Sequence, residues 1–122
     1  MNNFVANNGI EANFYKGKNY SNVGSVSSLT LNLDEYTYFY QSTNVDITVS
    51  FANVPSSSSA VAFILSLKNH DTADHTVTWP LSVKWHEGSI ADPPAIGSTH
   101  TYIFVTSDAG TNFFGKLISV SS

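Results

Sequence analysis

With 122 residues, 42% of them hydrophobic and 13% aromatic, the chain has the length of one domain and too much apolar content for a disordered one. Its formal charge is −4, only 11% of residues are charged and all five cations are lysines, so the clustered Lys and Arg of a nucleic-acid footprint are missing. The lack of cysteine excludes disulfides, thiolate metal sites and a cysteine nucleophile, no apolar run reaches membrane-span length, and Met1–Asn8 lacks the basic and apolar regions of a secretion signal. Neither nucleic acid nor a membrane is an expected partner.

Residues 1–22 read as an extended arm in which asparagines separate the apolar anchors Phe4, Ile10, Phe14 and Tyr15. Such an arm either frays or lies across a neighbouring subunit, each anchor in its own pocket. Residues 23–122 read as the folded domain. In it Val26, Leu29, Leu31 and Leu33 alternate with Ser, Thr and Asn, and a second strand, Tyr36–Tyr40, follows a turn near Asp34. Tyr36, Tyr38 and Tyr40 would share one face, as core or subunit interface ahead of a surface for stacking sugars. The segment Val45–Phe51 alternates at every step and predicts a strand with Val45, Ile47, Val49 and Phe51 inward.

A Pro/Ser loop, Val54–Ser59, leads into Ala60–Leu67, whose short apolar run predicts a central strand with Val61, Phe63, Leu65 and Leu67 inward. Lys68–Asp74 reads as a turn, His75–Trp79 as a strand that Pro80 ends because it has no amide hydrogen to pair, and Val83–Trp85 as a short strand. After the irregular stretch Gly88–Gly97, Thr101–Thr106 and Phe113–Val120 form a hairpin around Asp108, with Gly110 at positive φ. Six to eight short strands and no helical stripe predict an all-β fold, an antiparallel β-sandwich or jelly roll, with 18 serines, 11 threonines and 12 asparagines supplying the polar surface that charge does not.

Two clusters could carry chemistry. His70, Asp71, Asp74 and His75 could fold around a cation, but the spacing matches neither a zinc helix nor a calcium loop, and a solvated turn accounts for them better. His86 and Glu87 are adjacent, so in a strand they would point to opposite faces. No phosphate-binding glycine loop, nucleophile elbow or Ser/His/Asp pattern occurs. The expectation is a protein without catalytic residues, metal or cofactor.

The run Thr76-Val77-Thr78-Trp79-Pro80-Leu81-Ser82-Val83-Lys84-Trp85, continued by Gly88, Pro94, Asp108, Gly110, Phe114 and Gly115, resembles a module of bacteriophage virion proteins often labelled tail fibre. The likeness extends back to the strands from Tyr36. It implies that Trp79 and Trp85 are largely buried at a sandwich edge, that Pro80 turns the chain between them, and that Asp108 and Gly110 shape the hairpin. Ala109 stands where that module commonly has glycine, and His86-Glu87 alters the loop after Trp85. No coiled coil or collagen-like shaft is read before residue 22, so the resemblance implies a module plus an arm. It implies a homotrimer on the virion, a capsid decoration (cement) protein or a small fibre or tail accessory protein, with capsid or other virion proteins as partners. The alternatives are a receptor-binding fibre tip and a module binding a host-surface glycan.

Overall fold

The computed structural model describes residues 18–56 and 59–122, so the anchors Phe4, Ile10, Phe14 and Tyr15 lie outside the described residues. Alternation of apolar and polar side chains becomes strands β1 (Asn19–Asn22), β2 (Ser28–Asn32), β3 (Tyr38–Thr43), β4 (Ile47–Ala52), β5 (Val61–Asn69), β6 (Val77–Thr78), β7 (Val83–Trp85), β8 (Thr99–Thr106) and β9 (Phe113–Ser121). A single 3₁₀ turn, His86–Gly88, is the nearest approach to a helix among the described residues.

The strands form two sheets, one in the order β1-β3-β5-β8-β9-β7 and the other in the order β2-β4-β6. From β1 to β7 the chain crosses from one sheet to the other at every step. Successive strands of the same sheet therefore run the same way: β1, β3 and β5 are parallel, as are β2, β4 and β6. A parallel pair needs a crossover connection, and here a strand of the opposite sheet serves as that crossover. Antiparallel pairing is confined to β5 with β8 and β8 with β9, and β7 then adds to β9 in parallel. The expected antiparallel arrangement is thus corrected to a mixed one, and a jelly roll, which needs antiparallel neighbours, does not describe it. Alternation reports which face a residue takes; it carries no information on the direction of the neighbouring strand.

The corners of this winding put asparagine and threonine side chains to use. Asn22, Asn32, Thr43 and Asn69 each accept, through a side-chain oxygen, the backbone N–H two residues on. This local bond replaces the ladder as the chain leaves a strand. Asn53, at φ 57°, turns the chain after β4 and donates its side-chain amide to Asn32. Buried Gln41 ties the same region together by donating to the carbonyls of Gly24 and Ser42.

Buried side chains from both sheets form one cluster: Leu29, Leu31, Ile47 and Val49 from the smaller sheet meet Phe39, Phe63, Leu65, Tyr102 and Phe104 from the larger. Phe51 of β4 reaches across, its ring 5.2 Å from Phe63, 5.5 Å from Phe104 and 4.5 Å from Phe113. Such tilted and edge contacts add about 0.5–1.5 kcal/mol per pair beyond the area they bury. β5 is central, with Phe63, Leu65 and Leu67 buried as the sequence predicts.

Elsewhere the structure redraws the expectations. Val45 precedes β4 and is 37% exposed rather than inward. β5 runs on through Lys68 and Asn69, so the turn begins at His70, and the strand expected over His75–Trp79 pairs only at Val77 and Thr78 because Trp79 leaves the ladder for the core. Asn19–Asn22, read as the end of the arm, is the edge strand of the larger sheet, and Tyr20 packs on the core.

Candidate interaction surface

The sheets share a core, so each has one face turned away from it. On the smaller sheet that face is made of hydroxyls: Ser28 pairs in register with Thr48, Thr48 with Thr78, and Thr30 with Ser50, whose hydroxyls are 3.1 Å apart. On the larger sheet one cross-strand row reads Ala62, Val105, Phe114 and Lys84, and the next reads Tyr38, Ile64, Ile103 and Lys116. Phe114 is 60% exposed and Val105 39%. In a third row Ser66 is 4% exposed, covered as the Tyr38 hydroxyl donates to it at 2.8 Å while it bonds the Thr101 hydroxyl at 2.8 Å. Tyr38 therefore lies over the sheet instead of projecting from it.

The three tyrosines do not make one stripe. Tyr38 and Tyr40 occupy the outer face of β3, but Tyr36 lies before the strand and packs toward the core, 5.8 Å from the Phe39 ring and 5.6 Å from Tyr20. The turn after β2 ends there, with the Tyr36 N–H bonded to the Asn32 carbonyl, so strand periodicity does not reach it. Of the outer-face residues, Ile64, Ile103, Val105 and Lys116 were not singled out from the sequence, and Phe114 and Lys84 entered only as parts of the resemblance. Their signal is that β5, β8 and β9 carry apolar residues at both parities, as in Phe63-Ile64-Leu65, where a strand with one solvated face would alternate.

The tryptophan pair sits at the β7 edge of this sheet. Trp79 is 9% exposed, and its ring meets Trp85 at 5.1 Å and Tyr102 at 4.8 Å. Trp85 is only half-buried, and Pro80 between them accepts the Val83 N–H through its carbonyl, closing the turn the sequence predicts. The connection from Gly88 to Gly97 is pinned along its length: the Asp92 carbonyl accepts from Tyr102 at 2.9 Å and from His100 at 3.1 Å, and the Gly97 N–H donates to the Asn69 carbonyl at 2.8 Å. Burial pushes the Tyr102 phenol far above its usual range, so it stays a donor.

At the β8–β9 turn Asp108 accepts the backbone N–H of Asn112 at 3.0 Å, its side-chain amide at 3.1 Å and the Thr106 hydroxyl at 3.1 Å. The backbone bond, first among these, holds its carboxyl below the usual range. Gly110 has the predicted positive φ, 83°, and Ala109 before it is also left-handed, at φ 58°.

Of the two polar clusters, the first is a bridge. His75 faces Asp71 through Nε2 at 2.7 Å and Asp46 through Nδ1 at 3.2 Å, which favours the imidazolium. The bond to Asp71 raises the His75 pKa and lowers that of Asp71, while Asp46 is lowered first by the Thr76 N–H and then by His75. The bridge ties the start of β4 to the turn after β5. His70 bonds the Ser42 hydroxyl instead, and Asp74 stays exposed. His86 and Glu87 sit 3.8 Å apart, both exposed, in the 3₁₀ turn. Among the described residues no three His, Asp or Glu side chains gather as a metal set. Comparison with protein-family models, curated proteins and solved structures finds no match.

Proposed function

We propose that this chain is a non-enzymatic structural protein of a bacteriophage virion, a β-sandwich assembling as a homotrimer and serving as a capsid decoration protein or a small fibre or tail accessory protein. The observation that carries the proposal is the apolar, uncovered outer face of the six-stranded sheet, with Phe114 60% exposed beside Val105. Contiguous apolar surface of this kind marks association. The Trp79-Pro80 to Val83-Lys84-Trp85 motif supplies the virion context, and the mutual packing of the two indoles is consistent with the structural role it implies. Light scattering of the purified protein and co-sedimentation with emptied capsids test both parts. A trimer that sediments with capsids and does not bind host cells is the expected result; a monomer that stays in the supernatant would refute it.

A second reading, a receptor-binding tip or glycan-binding module, is favoured by a shallow cleft of about 310 Å³ where Trp85 is flanked by His86, Asp92 and Lys116. An indole wall with charged and hydroxyl-bonding groups is the kind of lining that holds a sugar ring. Binding to cells but not to capsids would establish this reading in place of the first.

A further inference from the structure

We propose that the β7 edge of the six-stranded sheet is a binding site for an acidic glycan, one ring of which bears a carboxylate or phosphate while the next is neutral. This rests on the second reading above and names the ligand class of its cleft. Two clefts meet at this edge. The one of about 310 Å³ has Trp85, His86, Ser89, Asp92 and Lys116 in its lining, and another, of about 330 Å³, has Lys84, Trp85, His86, Phe114 and Lys116. Trp85, His86 and Lys116 belong to both, so the two adjoin, and each has room for one sugar ring.

A chain with five lysines and no arginine places each cation at a cost to its scarce charge, so two in one cleft are informative. Lys84 faces Phe114 in register across β7 and β9, and Lys116 follows two residues on, so all three leave the same side of the sheet. Among the described residues neither lysine forms an ion pair; the three acid–base contacts there belong to His75 and His86. The lining of the second cleft holds no Asp or Glu, so two uncompensated ammonium groups select an anion there. In the first cleft the Asp92 carboxylate accepts sugar hydroxyls and repels a second negative charge. The charged ring therefore lies beside Phe114 and the neutral ring beside Asp92. Phe114, 60% exposed, and half-buried Trp85 offer aromatic surface to the C–H faces of the rings. An acidic peptide would satisfy the lysines but would meet repulsion at Asp92 and leave the aromatic surface unused, which favours the sugar.

The test is binding of the full chain to a panel of uronate-, sialate- and phosphate-bearing oligosaccharides, each beside its carboxyl-reduced or dephosphorylated counterpart, with titration calorimetry on the tightest. An acidic member should bind about tenfold or more tighter than its neutral counterpart, and which acidic members bind separates carboxylate from phosphate as the source of the charge. The pair Lys84→Gln/Lys116→Gln, verified as folded by circular dichroism, should abolish that preference, and Asp92→Ala should weaken acidic and neutral members alike. Lys68→Gln, farther along the same sheet on β5, should change nothing. If the lysine variant binds acidic members as well as the parent does, this site is wrong while the glycan reading stands. If neutral members bind as tightly as acidic ones, the acidic class is overturned and the glycan reading again stands. An oligoglutamate peptide that binds as tightly as the best oligosaccharide would overturn the sugar in favour of a peptide. A panel on which nothing binds overturns both the proposal and the reading beneath it.

Discussion

On the three-stranded sheet the residues facing outward are Ser28, Thr30, Thr48, Ser50 and Thr78, while on the six-stranded sheet they include Tyr38, Ile64, Ile103, Val105 and Phe114. Both sheets bury the same kind of inner face in one cluster, so the core does not account for the difference. Hydroxyls bond water and one another at little cost, whereas an aromatic and aliphatic face left in water forgoes about 25 cal/mol for each Å² it could bury. The contrast teaches that the smaller sheet's outer face is finished by solvent, whereas the larger one's carries apolar surface still open to burial.

The strongest way to break this comparison is at the core it presumes. Trp79 follows the last strand of the smaller sheet and packs against Tyr102 and Phe104 of the larger, so Trp79→Ala should cost about 3–5 kcal/mol in chemical denaturation. A variant melting like the parent would mean that the sheets do not share a core there.

Neighbouring positions on β9 sharpen the contrast between inside and outside. A Cβ on Gly115 would stand 3.0 Å from the Phe104 ring and 3.0 Å from Val83, so Gly115→Ala should destabilise by about 1–3 kcal/mol. Phe114→Ser, one residue earlier and outward, should change the stability of the isolated chain by no more than about 0.5 kcal/mol. Equal losses at the two sites would erase the distinction between faces.

The β8–β9 hairpin widens the apolar face, and its turn offers a gain. Ala109 holds a left-handed φ of 58°, which a Cβ resists, so Ala109→Gly should stabilise by about 1 kcal/mol, read as a higher thermal midpoint. Gly110→Ala should do the opposite, since a Cβ there meets Val54 at 3.0 Å and the Phe113 ring at 3.2 Å.

The smallest effect concerns pH and the junction between the sheets. His75 has its pKa raised above the ordinary 6.5, so its contribution is complete below that value and disappears as pH climbs through the raised one. Asp46 and Asp71 are lowered from 3.8, so theirs is present above that value and disappears as pH falls through the lowered ones. The bridge is therefore strongest between about pH 4 and pH 6.5. The midpoint difference between the parent and His75→Gln should peak in that window and shrink above neutrality, and a difference constant from acid to alkaline pH would exclude the bridge as its source.

Much of the inner face was legible in the residues themselves. Leu29, Leu31, Ile47 and Val49 alternate with polar neighbours, Phe63, Leu65 and Leu67 share one parity of a short apolar run, and each is buried because a strand sends successive side chains to opposite faces. Gly110 and Pro80 marked turns through their own backbone constraints, which act wherever the chain goes. What surrounds a strand is a different matter. That β1, β3 and β5 run parallel, that β8 and β9 stand between β5 and β7, and that Tyr36 turns inward while Tyr38 lies over Ser66 all depend on contacts between residues far apart in the chain. The apolar parity of Ile64, Val105 and Phe114 was visible along the chain, but only cross-strand register joins them into one face. Local periodicity determines which way each side chain points, and the winding of the chain between two sheets decides what it meets.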